Sequence, residues 1–171
     1  MKHFRYKPLS FKDLNLLHHW YNTAHVLKWY SRESLDYAQL ENKYRPYISG
    51  EKAIKGFICY FNQKPFGYIQ YYPVKRYPWN GHDLGKELSY AAGLDVFIGE
   101  TSFLGKGLGK LMINRFIQKH VFRKYKHCLV DPHQRNAQAI RCYEGCGFSI
   151  HKEVVSEERE KHYLMIKSSL A

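Results

Sequence analysis

A chain of 171 residues is about one domain long, enough for a sizeable core and too short for two full domains plus a linker. With 44% hydrophobic, 25% charged and 16% aromatic residues it can bury enough apolar surface to offset chain entropy, which excludes the disordered, collagen-like and low-complexity classes. Lysine and arginine number 27 against 15 acids, a formal charge of +12 that draws polyanions: phosphorylated cofactors, nucleic acid or anionic membrane.

In chain order, residues 4 to 9 read as a first strand, and Ser10 with Asp13 three positions on is a capping-box-like start for a helix turning Phe11, Leu14, Leu17 and Tyr21 inward. A second helix is expected after Ser34, with Tyr37, Leu40 and Tyr44 on one face and Pro46 weakening its end, an amphipathic and lid-like segment. Phe57 to Phe61 and Pro65 to Tyr72 are aromatic-rich runs joined by Asn62-Gln63-Lys64, the pattern of a β-hairpin. Pro73 to Ser89 has no clear period and holds Pro78, Asn80-Gly81 and Gly85, so a long loop is expected there. Leu94 to Gly99 reads as a fourth strand, then comes a glycine-rich turn and a helix to about Arg123 with Leu111, Ile113, Phe116 and Ile117 available to the core. His127 to Val130 is a fifth strand, parallel to the fourth if the helix crosses over in the right-handed way. A helix from about Asn136 ends at Gly145 or Gly147, and the strands Phe148 to Val155 and His162 to Lys167 complete the chain. The expectation is a single α/β domain over 1–171, a mixed, mostly antiparallel sheet of seven strands with three or four flanking helices.

The longest apolar runs, such as Phe57-Ile58-Cys59-Tyr60-Phe61, fall far short of the roughly 20 residues that span a bilayer, so no transmembrane helix is expected. The start, M-K-H-F-R-Y-K-P-L-S, lacks the apolar region of a secretory signal, and the expected compartment is the cytoplasm. Four cysteines without C-x-x-C spacing and ten histidines without an H-E-x-x-H pattern predict neither a disulfide framework nor a metal site. Cys142 and Cys146, four apart on a helix, read as small buried hydrophobes.

The strongest chemical signal is L-G-K-G-L-G-K at 104 to 110, between a strand and a helix. Glycines at 105, 107 and 109 let a ligand approach the backbone, and the unpaired N–H groups of a helix start point at it, a geometry that binds phosphate. The run is neither a Walker loop nor a dinucleotide fingerprint. With N-A-Q-A-I-R-C-Y-E-G-C-G-F at 136 to 148 it resembles the GNAT acyltransferase superfamily, whose N-x-x-A-x-x-x-Y-x-x-x-G-F pattern is matched at Asn136, Ala139, Tyr143, Gly147 and Phe148. Leu104 stands where that superfamily usually carries Arg or Gln, leaving Lys106 and Lys110 to supply the charge. G-Y-I-Q-Y at 67 to 71, L-D-V-F-I-G-E at 94 to 100, D-P at 131 to 132 and W-Y-N-T-A-H-V-L-K-W-Y at 20 to 30 look like bacterial aminoglycoside 6'-N-acetyltransferases. Related siderophore acyltransferases generally carry His where this chain has Asp95.

The resemblance implies a GNAT-type fold and transfer of an acetyl group from acetyl-CoA to a primary amine of a small molecule, foremost the 6'-amine of an aminoglycoside. A siderophore precursor of hydroxylysine type and a peptide amine are the alternatives. It implies that Leu104, Gly105, Lys106, Gly107, Leu108, Gly109, Lys110, Asn136 and Tyr143 bind the cofactor, with no metal. An amine of pKa about 10.4 must lose a proton before attacking a thioester, at about 4.6 kcal/mol at pH 7, so a nearby carboxylate is useful both to hold the ammonium and to accept its proton. Asp95, an acid inside the apolar strand L-D-V-F-I, is the candidate base, with a satisfied structural acid as the other reading. Tyr143 shares a helix face with Ile140 and reads as core from spacing alone; the resemblance makes it the candidate general acid for the departing thiolate. Asp131 at a strand end either binds substrate or serves as a turn acid before Pro132, and Glu100 either orients substrate or caps its loop. Trp29, Tyr30 and Tyr71 are candidates to wall a sugar ring, with ordinary packing as the alternative.

The net charge opposes a polycationic substrate at long range, but screening over about 8 Å leaves local acids in control: Asp95, Asp131, Glu100 and, from the long loop, Asp83 and Glu87. K-H-V-F-R-K-Y-K-H at 119 to 127 alternates bases with Phe122 and Tyr125 and suggests nucleic-acid binding, but such a run is usually a solvated helix end. Neither a nucleic-acid nor a membrane partner is expected, and the protein is expected to act as a monomer or homodimer. The other class of reading is a non-catalytic CoA-binding module.

Overall fold

Alternating apolar residues and short polar turns make the strands β1 (Phe4–Pro8), β2 (Lys55–Phe61), β3 (Lys64–Pro73), β4 (Ala92–Ile98), β5 (His127–Val130), β6 (Ser149–Val155) and β7 (Lys161–Ser168). The computed structural model describes residues 3–79, 84–156 and 158–169, with the side chain of Glu87 also outside the described part. The strands form one sheet in the order β1-β2-β3-β4-β5-β7-β6. β1 runs antiparallel to β2, and β7 runs antiparallel to both β5 and β6. β4 and β5 are parallel, in a register covering Ala92↔Cys128 and Gly93↔Leu129, as the crossover expectation required. The longer helices are α1 (Leu14–Tyr21), α3 (Tyr37–Ile48), α5 (Leu108–Phe116) and α6 (Ala137–Gly145); α2 (Ala24–Val26) and α4 (Gly85–Leu88) are single turns. Among the described residues no helix is long and apolar enough to cross a membrane.

By density of contacts the chain divides into two units, Met1–Gln70 with Asp95–Gly109, and Tyr71–Leu94 with Lys110–Ala171. In the first, Asn62 and Gln63 both adopt left-handed φ, 45° and 68°, and form a two-residue hairpin turn whose twist matches the strands. That turn is one residue tighter than the Asn62-Gln63-Lys64 connection expected. Asp13 receives bonds from the Ser10 backbone N–H (3.0 Å), the Ser10 hydroxyl (2.6 Å) and the Lys7 ammonium (2.8 Å), fixing the entry to α1. Leu14, Leu17 and Tyr21 are buried as the spacing predicts, but Phe11 is 45% exposed and lies under the Arg45 guanidinium at 5.2 Å. A charged plane can cover an aromatic face that the core has no room for.

The lid-like reading of the second helix is corrected by the structure. α3 is capped by Asp36, whose carboxylate accepts from the Gln39 N–H at 2.8 Å, and runs through Pro46 to Ile48. Pro46 sits in the last turn, and the chain beyond it continues bonding through Ser49 N–H to the Arg45 carbonyl and Lys52 N–H to the Pro46 carbonyl. Leu40 and Tyr44 are fully buried with Leu14, Leu17, Trp20, Ile58, Tyr68 and Phe97. The helix is a wall of the core, and its apolar stripe cannot leave without exposing it.

In the second unit Met112, Ile113, Phe116 and Ile117 are buried, whereas Leu111, expected in the core, is 36% exposed. Advancing about 100° per residue, the helix presents 112, 113 and 116 on one face and carries 111 past its edge. Val74, Leu88, Ala91, Leu129, Val154 and Leu164 form this unit's packed cluster, so the expected loop of 73 to 89 includes the helical turn α4, which buries Leu88. Within the basic run at 119 to 127, Val121 and His127 are buried and the Tyr125 ring lies 6.4 Å from that of Tyr71, so these groups serve packing. Asp83 and the side chain of Glu87 lie outside the described residues.

Candidate active site

Two strands place one carboxylate at the end of a hydrogen-bonded chain. On β3, Tyr68 and Gln70 share a face by the two-residue period, and Asp95 on β4 meets them. The Tyr68 hydroxyl donates to Gln70 Oε1 at 2.7 Å, and Gln70 Nε2 donates to Asp95 Oδ2 at 2.7 Å. Burial pushes the half-buried Asp95 carboxyl above its usual range, while the Gln70 amide and the Lys43 ammonium pull it down. Lys43 on α3 donates to the Tyr21 hydroxyl at 2.6 Å. The phenols of Tyr30, Tyr44 and Tyr68 are all raised by burial and stay neutral, so this surrounding adds no negative charge. An acid so placed can hold an ammonium group and then accept its proton.

Glu100, two residues past the end of β4, accepts a bond from the buried Trp20 indole N–H at 2.7 Å. Tyr30 stacks its edge on Phe97 with centroids 4.7 Å apart and on Tyr21 at 6.0 Å, so much of its ring belongs to the core. Trp29 is half-buried with the Lys28 ammonium 4.9 Å from its ring. Tyr71 follows the packing alternative: by strand alternation its side chain leaves β3 on the face opposite Tyr68 and Gln70, and its ring packs against Phe116 at 5.9 Å and Tyr125.

The glycine run opens α5. Gly105 and Gly107 adopt φ of +69° and +70°, and no atom lies within 4 Å of where a Cβ would stand on either. Open space over left-handed glycines, a helix start with unpaired N–H groups, and the exposed side chains of Lys106 and Lys110 fit a polyphosphate. Leu108 is buried and Leu104 half-buried, so either can offer a ligand only its backbone. Gly109 is already inside the first turn of the helix.

The second motif encodes both ends of α6. Asn136 Oδ1 accepts from the Ala139 N–H at 3.1 Å, an N-cap, so that oxygen is committed to the helix. At the other end Gly147 takes φ +87°, the Gly147 N–H bonds the Glu144 carbonyl (2.8 Å) and the Phe148 N–H bonds the Tyr143 carbonyl (3.0 Å), a Schellman motif. The Tyr143 ring is 9% exposed and lies 5.6 Å from Phe148, the apolar contact such a motif brings. Asp131 follows β5 with an exposed side chain, and its carbonyl accepts from His162 Nδ1 at 2.8 Å. Cys146 is buried with its thiol 3.7 Å from the Lys110 carbonyl.

The family model of the acetyltransferase (GNAT) domain matches residues 10–156, a span that includes all of these parts. The chain belongs to the GNAT acetyltransferase family. It is 27% identical over 157 residues to the aminoglycoside N(6')-acetyltransferase type 1 of Klebsiella pneumoniae, an alignment covering 90% of this chain and 77% of that protein. Among solved structures, the aminoglycoside acetyltransferase AAC(6')-Ib in complex with coenzyme A and kanamycin superimposes with a TM-score of 0.82 at 25% identity, over 97% of this chain and 95% of that one. The spermidine N-acetyltransferase of Vibrio cholerae in complex with CoA and spermine shares the fold, with a TM-score of 0.77 at 19% identity over 96% of this chain and 95% of that one.

Sequence reasoning about this GNAT acetyltransferase missed Gln70, Tyr68, Lys43 and Trp20. Gln70 had a usable signal, a lone amide inside the aromatic strand G-Y-I-Q-Y, since a polar group buried in a strand needs a partner. Lys43 had none, because its approach to Asp95 depends on how α3 lies on the sheet.

Proposed function

We propose that this acetyltransferase uses acetyl-CoA to acetylate a primary amine of an aminoglycoside, at the 6' position. The observation that carries the reading is the held carboxylate of Asp95, which receives a hydrogen bond from Gln70 and stands among neutral phenols. The names of the 27% identical relatives support the substrate class. Asp95 holds the substrate ammonium by charge and accepts its proton, directly or through water, as the nitrogen attacks the thioester carbonyl. Tyr143 gives a proton to the thiolate as the carbon–sulfur bond breaks, leaving an amide and free thiol. The backbone of 104 to 109 with Lys106 and Lys110 holds the pyrophosphate of the co-substrate, while Asn136 serves mainly by capping α6. Glu100 and Asp131 hold further ammonium groups of the substrate, with Trp29 and Tyr30 beside it. The enzyme works in the cytoplasm as a monomer or homodimer.

The test is thiol release from acetyl-CoA, followed in a spectrophotometer, against aminoglycosides, polyamines, hydroxylysine and peptides. Turnover confined to aminoglycosides is expected, with the 6'-N-acetyl product identified by mass spectrometry and NMR. Turnover with hydroxylysine or peptides alone would sink the aminoglycoside reading and leave the acetyltransferase.

A further inference from the structure

Gln70 is an amide with two faces, and its neighbours dictate which way it points. Its two terminal atoms meet Asp95 Oδ2 on one side and the Tyr68 hydroxyl on the other, each at 2.7 Å. An ionised carboxylate has no proton to give, so the atom facing Asp95 must be the NH2 group and the atom facing Tyr68 the carbonyl oxygen. That arrangement stands only if Tyr68 donates, because the buried carbonyl would otherwise lose its partner. Flipped, the amide would turn its carbonyl on Asp95, which is tolerable only when Asp95 carries a proton. Tyr68 is fully buried, and its hydroxyl occupies the space that a side chain at residue 56 would need: a Cβ on Gly56 would overlap that oxygen. The glycine on β2 thus makes room for the hydroxyl on β3 that orients the amide facing the acid on β4.

We infer that Gln70 and Tyr68 are positioning residues that keep Asp95 ionised and aimed for proton acceptance, with Gly56 as the gap that admits them. The inference rests on the reading of Asp95 as base. Among the described residues, Lys43 and Tyr44 on α3, Tyr30 in the turn following α2, and Tyr68 on β3 interact electrostatically with Asp95. Of these Lys43 is the cation, and it favours the carboxylate as Gln70 does. Removing the Gln70 donor therefore leaves burial less opposed and moves Asp95 titration to higher pH. Removing the Tyr68 hydroxyl does so in part, by freeing the amide to turn.

The experiment compares wild type, Gln70→Leu and Tyr68→Phe in two readouts. Carbon-13 NMR of labelled aspartate, with Asp95 assigned from the signal lost in Asp95→Asn, reports its titration without reference to catalysis. The pH profile of kcat/KM for the amine, at saturating acetyl-CoA, reports the same group at work. Both variants are expected to move the Asp95 titration and the acid limb of the profile to higher pH, Gln70→Leu more than Tyr68→Phe. At pH 6, kcat/KM is expected to fall by about tenfold or more in Gln70→Leu, the usual scale for losing a bond to a charged group. KM for acetyl-CoA should stay in place. A merely structural role lowers the melting temperature and leaves both titrations where they were, and that result overturns the inference. Should Gln70→Leu fail to fold, the milder Tyr68→Phe decides. Wild-type kcat/KM in Asp95→Asn would count against the base instead, and the NMR titration would still judge the relay.

Discussion

The indole N–H of Trp20 donates to Glu100 Oε1 at 2.7 Å across 80 residues of sequence, and the same ring fills the space that a Cβ on Gly99 would take. One buried ring thus seats against the end of β4 and restrains the carboxylate that follows it.

Trp20→Phe keeps an aromatic ring and removes the donor. It is expected to raise KM for the amine several-fold and to leave KM for acetyl-CoA unchanged, with a stability loss of about 2–4 kcal/mol from the lost bond and the smaller ring. Gly99→Ala should cost at least as much, because the ring has to move. An unchanged amine KM in folded Trp20→Phe removes Glu100 from substrate binding.

Asp95→Asn keeps the shape and the Gln70 bond while deleting charge and basicity. A fall of about 10²-fold or more in kcat/KM for the amine is expected across pH 6 to 9, the range of general-base effects. Asp131→Asn, exposed at a strand end, should act more on KM than on kcat. Stability should move oppositely. Burial holds the folded Asp95 carboxyl above its unfolded value, so the native state binds that proton more tightly, and the stability it brings is lost as pH rises through the raised value. Near neutral pH Asp95→Asn should therefore melt higher than wild type, with the difference shrinking as the pH falls toward the ordinary carboxyl range. A lower melting temperature at pH 7 contradicts this account.

Gly107→Val tests the loop. At φ +70° a branched residue costs about 1–2 kcal/mol of backbone strain, and its Cβ has no neighbouring atom within 4 Å. Its side chain should instead occupy the space proposed for the pyrophosphate and raise KM for acetyl-CoA strongly. Gly50→Val is the control, with φ +82° and equally open surroundings outside the proposed site. Equal effects of the two on acetyl-CoA KM would take the loop out of the site.

Tyr143 separates into two roles. The ring closes the Schellman motif of α6 against Phe148, and the hydroxyl is the proposed proton donor. Tyr143→Phe is expected to lower kcat with little change in acetyl-CoA affinity or melting temperature, because the ring remains. Tyr143→Ala should lose about 3–5 kcal/mol of stability as well. Full activity in Tyr143→Phe returns the residue to the core.

Features that depend on neighbours along the chain were legible in the sequence. The caps of α6 at Asn136 and Gly147, the entry to α1 at Ser10 and Asp13, the left-handed glycines 105 and 107, and the hairpin after Phe61 all follow from spacing and turn chemistry, which act over a few residues. The family motif, too, was readable because it is largely local: half of it specifies how one helix begins and ends. Tertiary structure decided which side chains meet. Gln70 reaches Asp95 over 25 positions and Trp20 reaches Glu100 over 80, and Tyr71 turns away from the face that its neighbour Gln70 occupies. Such meetings depend on strand register and on the way a helix lies across a sheet. A one-residue slip of register sends every side chain of a strand to the other face, and the composition of the strand does not record which alternative holds.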